Sequence, residues 1–400
     1  MSPRAVTPLT KPPDVVCLSS ADWDAVLWTN KQHLMSRLAM AGVRVLYIDS
    51  LGYRAPRPSR QDTSRIFSRL RAWRPFAHEV ERHLYRDSPL VLPFHGSKKS
   101  RAVNAWLLTR RLQRNLARRD FDRPVFWTYV PGAVDLYDPK RFRALVYHCV
   151  DRLATFPGVD PQAFEEQEAR LVEKADLCIA SSRQLQKHLE ERGARGVLYW
   201  PNPADTVSFS AASSRAREDG HVRVGFIGAV QEHKLDVDLL RRCAELRPDW
   251  RFELVGPVGI GLRETSLRPE DFPPNVHFLG AVDRSSLPSV VSGFDVGIIP
   301  YAINHYTASV FPMKVFEYLS AGLPVVATPL PSLVGEIEHV AFASDAEEFV
   351  AAVESAARTR DAGRDARIEY ARPHSWEKRI EQVLDVLNAL GSDDKVPKGT

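Results

Sequence analysis

Along the chain, short apolar runs rich in Val, Ile and Leu alternate with longer segments whose apolar residues recur every three or four positions. In the first half the runs are DVVCL (14–18), VRVLYI (43–48), PVFWTY (124–129), ALVYHC (144–149), DLCIA (176–180) and GVLYW (196–200). The second half has VRVGFIG (222–228), WRFELVG (250–256), NVHFLG (275–280), FDVGIIP (294–300) and PVVAT (324–328). Continuous apolar runs separated by helix-length segments predict parallel strands, buried on both faces and joined by helical crossovers. Between the halves, ADTVSFSAASSRAREDG (204–220) is small, polar and turn-rich, and predicts a linker. The pattern therefore predicts two Rossmann-like, doubly wound α/β domains, 14–204 and 205–375, facing a cleft that is the default active site. Near the end, HSWEKRIEQVLDVLNAL (374–390) predicts an amphipathic helix.

Composition narrows the class. The 400 residues are 44% hydrophobic and 26% charged, enough for two ordinary globular cores. No apolar run approaches the ~20 residues of a membrane-crossing helix. The opening MSPRAVTPLTKPPD has no apolar core of the kind a signal peptide carries, so the reading is a cytoplasmic protein. Cys17, Cys149, Cys178 and Cys243 are far apart, without a CxxC pair, and read as buried free thiols in a reducing compartment.

Charge changes the picture more. The net charge is only +4, yet residues 54–119 hold 17 Lys/Arg against 4 Asp/Glu, a local +13. The remainder, 37 against 46, carries −9. In SRIFSRLRAWR (64–74), Ile66, Phe67, Leu70 and Trp73 share a helical face ringed by Arg65, Arg69 and Arg71. In 101–119, Arg110, Arg114 and Arg118 recur every four residues, with Leu108, Leu112 and Leu116 on another face. Basic amphipathic helices with Trp and Phe suit an anionic membrane surface, the alternative being a solvated Arg-rich face. No nucleic-acid-binding signature accompanies the basic block, so a nucleic acid partner is not expected.

The stretch with most chemistry is FPMKVFEYLSAGLPVVAT (311–328). Pro312 suits a first helical turn, and Gly322 followed by Pro324 suits a helix stop before a strand. The front of that helix would lie at the cleft, where free N–H groups and Lys314 can meet a diphosphate and Glu317, on the same face, can accept from sugar hydroxyls. The alternative is a surface ion pair of Lys314 with Glu317. In VYHCVDRL, His148 and Asp151 end a strand at the same cleft. Either suits a base that deprotonates an acceptor hydroxyl, or a turn cap and a core histidine. The triplet DVD (236–238) reads as a helix cap and first-turn acid rather than a metal site.

PMKVFEYLSAGLPVVAT resembles the donor-site signature of GT-B glycosyltransferases, P-x-K-x-x-E-Y-L-x-x-G-x-P-V-V-x-T. VGFIGAVQEHKLDVDLL (224–240) and VGIIPYAINHYTASVFPMK (296–314) are similar to their nucleotide-sugar domain. LVYHCVDRL (145–153) and ADLCIASSRQL (175–185) are similar to their acceptor domain. The resemblance runs from about 14 to 390 and is nearest to bacterial teichuronic-acid and exopolysaccharide (xanthan-type glucuronosyl) transferases. It implies a GT-B fold, donor-binding residues Gly228, His233, Lys234, Tyr301, Ser309, Met313, Lys314 and Glu317, and no metal cofactor. It also implies a crossing of helix 376–390 back to the first domain, and a role for Asp151 or His148 as base. Ser309 stands where retaining relatives carry a first Glu, so the reading favours inversion. His233 or Lys234 stand in for the phosphate-loop Arg and Lys. The expected partners are a nucleotide-sugar, most simply a UDP-sugar, and a lipid-linked or oligosaccharide acceptor at the inner face of the plasma membrane. Two alternatives stay open: a nucleotide-sugar epimerase of similar fold, and a non-catalytic nucleotide-sugar-binding protein.

Overall fold

A computed structural model of the chain describes residues 12–51, 73–91, 98–156, 159–212, 220–259 and 267–391. The basic helix expected at 64–74 lies almost wholly outside the described residues; Trp73 alone of its apolar face is described, and it is exposed.

The first half builds an eight-stranded sheet from β1 (Val15–Leu18), β2 (Val45–Ile48), β3 (His78–Glu81), β4 (Leu84–Asp87), β5 (Val125–Thr128), β6 (Leu145–Cys149), β7 (Leu177–Ala180) and β8 (Val197–Tyr199). Their order is β3-β4-β2-β1-β5-β6-β7-β8, doubly wound from the central β1. Helices α1 (Asn30–Met40), α2 (Lys98–Arg118), α3 (Pro161–Lys174) and α4 (Arg183–Glu191) accompany it. The second half builds a six-stranded parallel sheet in the order β11-β10-β9-β12-β13-β14. Its strands are β9 (Arg223–Ile227), β10 (Arg251–Val255), β11 (Val276–Gly280), β12 (Val296–Ile299), β13 (Val325–Ala327) and β14 (Val340–Phe342). Its helices are α5 (Thr206–Ala211), α6 (Val237–Leu246), α7 (Leu287–Val291), α8 (Lys314–Ser320), α9 (Ala346–Arg358) and α10 (Arg364–Ala371).

Every apolar run named above is a strand. Two details differ from the expectation. The charged segment 78–87 forms β3 and β4, paired antiparallel at the edge of the otherwise parallel sheet. Part of the predicted linker is also ordered: Asp205 caps α5, accepting from Ser208 N at 3.2 Å, and Phe209 enters the second core. Asp236 caps α6 in the same way, and Asp238 pairs with Arg241 at 2.8 Å, as the helix-cap reading requires. All four cysteines are buried free thiols.

A last helix, α11 (Trp376–Gly391), returns to the first domain. Trp376, Val383, Val386, Leu387 and Leu390 join the core of the eight-stranded sheet. The two segments that connect the halves meet there: Ala204 N donates to His374 O at 3.0 Å and Trp376 N to Ala204 O at 3.1 Å.

Two glycines interlock at the cleft end of the second sheet. Gly256 has φ +146°, and a Cβ there would come within 2.0 Å of the Gly228 carbonyl oxygen. Because that neighbour is backbone, it cannot swing aside. Gly256→Ala is expected to cost about 3 kcal/mol, read as a lowered midpoint in a thermal melt.

Candidate active site

The cleft lies between the strand ends of the two sheets. Its donor-domain wall is set by main-chain bonds before any side chain is considered. Gly228 N donates to Val255 O at 2.8 Å, closing β9 onto β10, and Leu235 bridges to Tyr301. Ala302 N donates to Lys234 O at 3.0 Å, and Thr328 Oγ1 donates to Tyr301 O at 2.6 Å. Lys234, in the loop after β9, and Tyr301, just past β12, are thus held side by side.

Lys314 begins α8 and is only 8% exposed. Its ammonium donates to Tyr301 Oη at 2.6 Å and lies 5.0 Å from the centre of the Phe226 ring. A Cβ on Gly228, whose φ is +133°, would stand 3.2 Å from Lys314 Nζ. The glycine therefore makes room for the lysine. Lys234 Nζ approaches the same phenol, 4.9 Å from the ring centre. Two ammonium groups share one phenol, and neither pairs with a carboxylate among the described residues. The surface ion pair of Lys314 with Glu317 is not formed.

The titrations follow from this crowding. Burial alone would raise the Tyr301 phenol, but Lys234 and Lys314 together hold it below its usual value. Burial, helped by the charge of Lys234 and only partly offset by Tyr301, lowers Lys314. Burial also works against the charge of Lys234, yet Tyr301, Tyr306 and Asp151 outweigh it and raise that lysine. Burial is the main cause that pushes Glu317 up to about 7, with Lys314 opposing and Asp205 adding.

The remaining candidates divide. His233 is half-buried, its ring 5.7 Å from Tyr306. Ser309 sits in a turn, its hydroxyl on Tyr306 O at 3.2 Å, and its carbonyl accepts from Ser182 Oγ of the first domain at 2.8 Å. Met313 packs against the core of the first domain. Ser309 and Met313 therefore join the domains. The helix at 314–320 is shorter than expected, because Pro312 and Met313 precede it rather than open it. A seven-residue helix supplies little dipole, so the charge at this wall comes from the lysines.

From the acceptor-domain wall, Asp151 projects beyond β6 with its side chain 18% exposed. Its Oδ2 lies 3.4 Å from Lys31 Nζ, from α1. Its charge is felt by Lys234 and Tyr306 on the opposite wall. His148 does not share this position. It is 4% exposed, between Trp127 and Tyr129, and burial holds it neutral, well below the usual histidine range. The expected role of His148 as a base at the cleft is therefore corrected: only Asp151 of the pair faces the opening. Phe156 and Tyr306, 4.9 Å apart edge to face, close the cleft beside Asp151. Lys31, Phe156 and Tyr306 carried no signal in the sequence, since each is brought in by an element packed from elsewhere.

Comparisons with known proteins bear on the fold and on the second domain. Residues 221–359 match the family described as glycosyl transferases group 1. Over 227 residues the chain is 31% identical to TuaH of Bacillus subtilis, named as a teichuronic acid biosynthesis glycosyltransferase. That match covers 53% of this chain and spans only 57% of TuaH. Among solved structures, sucrose-phosphate synthase from Thermosynechococcus elongatus superposes with TM-score 0.68 at 16% identity, covering 94% of this chain and 99% of that one. Anabaena HepE in complex with UDP and glucose gives 0.62 at 14% identity, covering 94% and 100%. The Escherichia coli trehalose-6-phosphate structure bound with UDP-2-fluoro glucose gives 0.63 at 12%, covering 94% and 99%. The two facing sheets are a GT-B fold, and its second domain is the part similar to the glycosyl transferases group 1 family.

Proposed function

We propose that the chain is a glycosyltransferase that moves a sugar from a UDP-sugar to a glycan acceptor carried on a lipid, in the assembly of a bacterial surface polysaccharide or glycolipid. The observation that carries the reading is the pair of lysines on Tyr301. Two lysines held on one phenol, with no carboxylate paired to either among the described residues, suit an incoming dianion, and a nucleoside diphosphate supplies one. The UDP complexes of two structural neighbours support the donor class, and the similarity to TuaH supports the acceptor class.

In this reading Asp151 takes the proton of the acceptor hydroxyl as that oxygen attacks the anomeric carbon. The bond from that carbon to the diphosphate oxygen breaks, and Lys234 and Lys314 stabilise the departing charge. A lone carboxylate facing the donor wall fits a single displacement, so an α-linked UDP-sugar gives a β-glycoside. The lysines do the work a metal ion does elsewhere, and the reaction needs none. The exposed face of α2 presents Val103, Trp106 and Leu107, with Arg110 stacked over Trp106 at 4.0 Å. That face lies against the anionic inner leaflet and brings the cleft to its acceptor.

The test is a donor screen read by product mass. Purified protein is mixed with a polyprenyl-diphosphate-glycan extract and each UDP- or GDP-sugar in turn, with and without EDTA. Addition of one sugar, unchanged by EDTA, is the expected result, and NMR of the new linkage gives its configuration. UDP binding without transfer would overturn the acceptor class. No nucleotide binding at all would overturn the donor site.

Glu317 adds a pH dependence. Only its ionised form is purely an acceptor for ribose or sugar hydroxyls, and its value is about 7 rather than that of an ordinary carboxyl. Donor affinity is expected to weaken as pH falls through 7, and the dependence is expected to flatten in Glu317→Gln. Titration of UDP binding from pH 8 to pH 6 in both proteins checks it.

A further inference from the structure

Behind Asp151, away from the cleft, lies a cluster of buried polar groups that the proposed reaction does not use. Tyr129 follows β5 and His148 lies in β6, with their rings 5.0 Å apart. Among the described residues, neither nitrogen of His148 has a hydrogen-bond partner, nor does Tyr129 Oη. The indole of Trp127 leans toward the Tyr129 oxygen, which leaves the phenol's own proton without an acceptor. From α11, Arg379 brings its charge to the same group. Its guanidinium stacks on Trp200 at 4.8 Å and gives one N–H to Pro201 O at 2.9 Å, while its Nε has no partner among the described residues. The residue is 8% exposed.

The charges do not balance. No carboxylate pairs with Arg379 among the described residues, and its charge is felt by Tyr129 and His148. The other cation near His148, Lys31, is already matched by Asp151. One positive charge is left over in a place sealed from solvent, an arrangement proteins rarely leave uncompensated. The hydrogen-bond count points the same way. The Nε–H of Arg379 and the indole N–H can only donate, and Tyr129 and His148 each hold a proton to give. A water molecule would bring two more donors to a cluster whose donors already outnumber its one free imidazole acceptor.

We propose that Tyr129, His148 and Arg379 enclose a small monovalent anion of the chloride class, seated between the ends of β5 and β6 and the start of α11. The anion neutralises Arg379 and ties the returning helix to the first domain beside the point where the two connecting segments meet. It lies behind Asp151, so substrate binding does not displace it.

Two measurements on the full chain test this. Crystals grown or soaked in sodium bromide are expected to show an anomalous peak within hydrogen-bond distance of Arg379 Nε and Tyr129 Oη. Thermal melts in sodium chloride and sodium gluconate at equal ionic strength are expected to differ by about 2–4 °C, chloride being the higher. Tyr129→Phe keeps the packing and removes one donor, and is expected to lose at least half of that difference. Arg379→Met is expected to lose all of it; if that variant fails to fold, Tyr129→Phe and the bromide map still decide. Equal melts in the two salts with no bromide peak, or a chloride increment of the same size in Tyr129→Phe, would overturn the proposal and leave a water-filled cluster.

Discussion

Lys314→Ala is expected to lower kcat/KM for the donor by about 10²–10³-fold, the usual consequence of deleting one preorganised charge at a departing oxyanion. The loss falls more heavily on kcat than on UDP affinity. Charge on the diphosphate grows as the glycosidic bond breaks, and Lys234 still anchors the ground state. Lys314→Arg is not expected to restore the rate. The ammonium fits in the space left by Gly228, where even a Cβ would stand 3.2 Å from it, and a planar guanidinium has no such room. The alanine variant should fold, because the lysine it removes is a buried cation whose charge the fold disfavours. Steady-state kinetics alongside calorimetric UDP binding separates the two effects. A wild-type rate in Lys314→Ala would remove this residue from the donor site.

Asp151→Asn is expected to lower kcat by about 10²–10⁴-fold, the range for loss of a general base, with UDP affinity nearly unchanged. The amide keeps the shape of the carboxylate but cannot take a proton. The same substitution also leaves Lys31 without its partner at 3.4 Å, so a second variant is needed. Lys31→Met removes the ion pair and keeps the base, and it should retain most of the rate. If both variants lost activity equally, the pair would be structural and the base would lie elsewhere.

How much of this was legible depended on where the information sits in the chain. Strands buried on both faces announce themselves, and each central strand of both sheets is a Val- or Ile-rich run. Edge strands do not have to. HEVE forms β3, the rim of the first sheet, where one side of the ladder faces outward and charged residues are tolerated, and LYRD forms β4 just inside it. The 311–328 signature located Lys314 and Glu317, because the helix that holds them is continuous in sequence. The convergence of Lys234 and Lys314 on one phenol was not readable, since it depends on the register of β9 against β12. His148 and Asp151 show the same limit. Three residues apart in sequence, one is sealed between Trp127 and Tyr129 and the other is partly open beside Lys31, a distinction that only packing makes.

The return of α11 has a consequence for how the protein comes into being. Trp376, Val383, Leu387 and Leu390 complete the core of the sheet made from the first 199 residues. On the ribosome, the domain that emerges first must therefore wait until the whole second domain has been made before its interior is closed. The domain that emerges second is contiguous from α5 to α10 and has no such debt. The order of maturation is the reverse of the order of synthesis. A nascent chain stalled before Trp376 would carry a finished donor domain tethered to an acceptor domain still exposing apolar surface, a natural client for a chaperone.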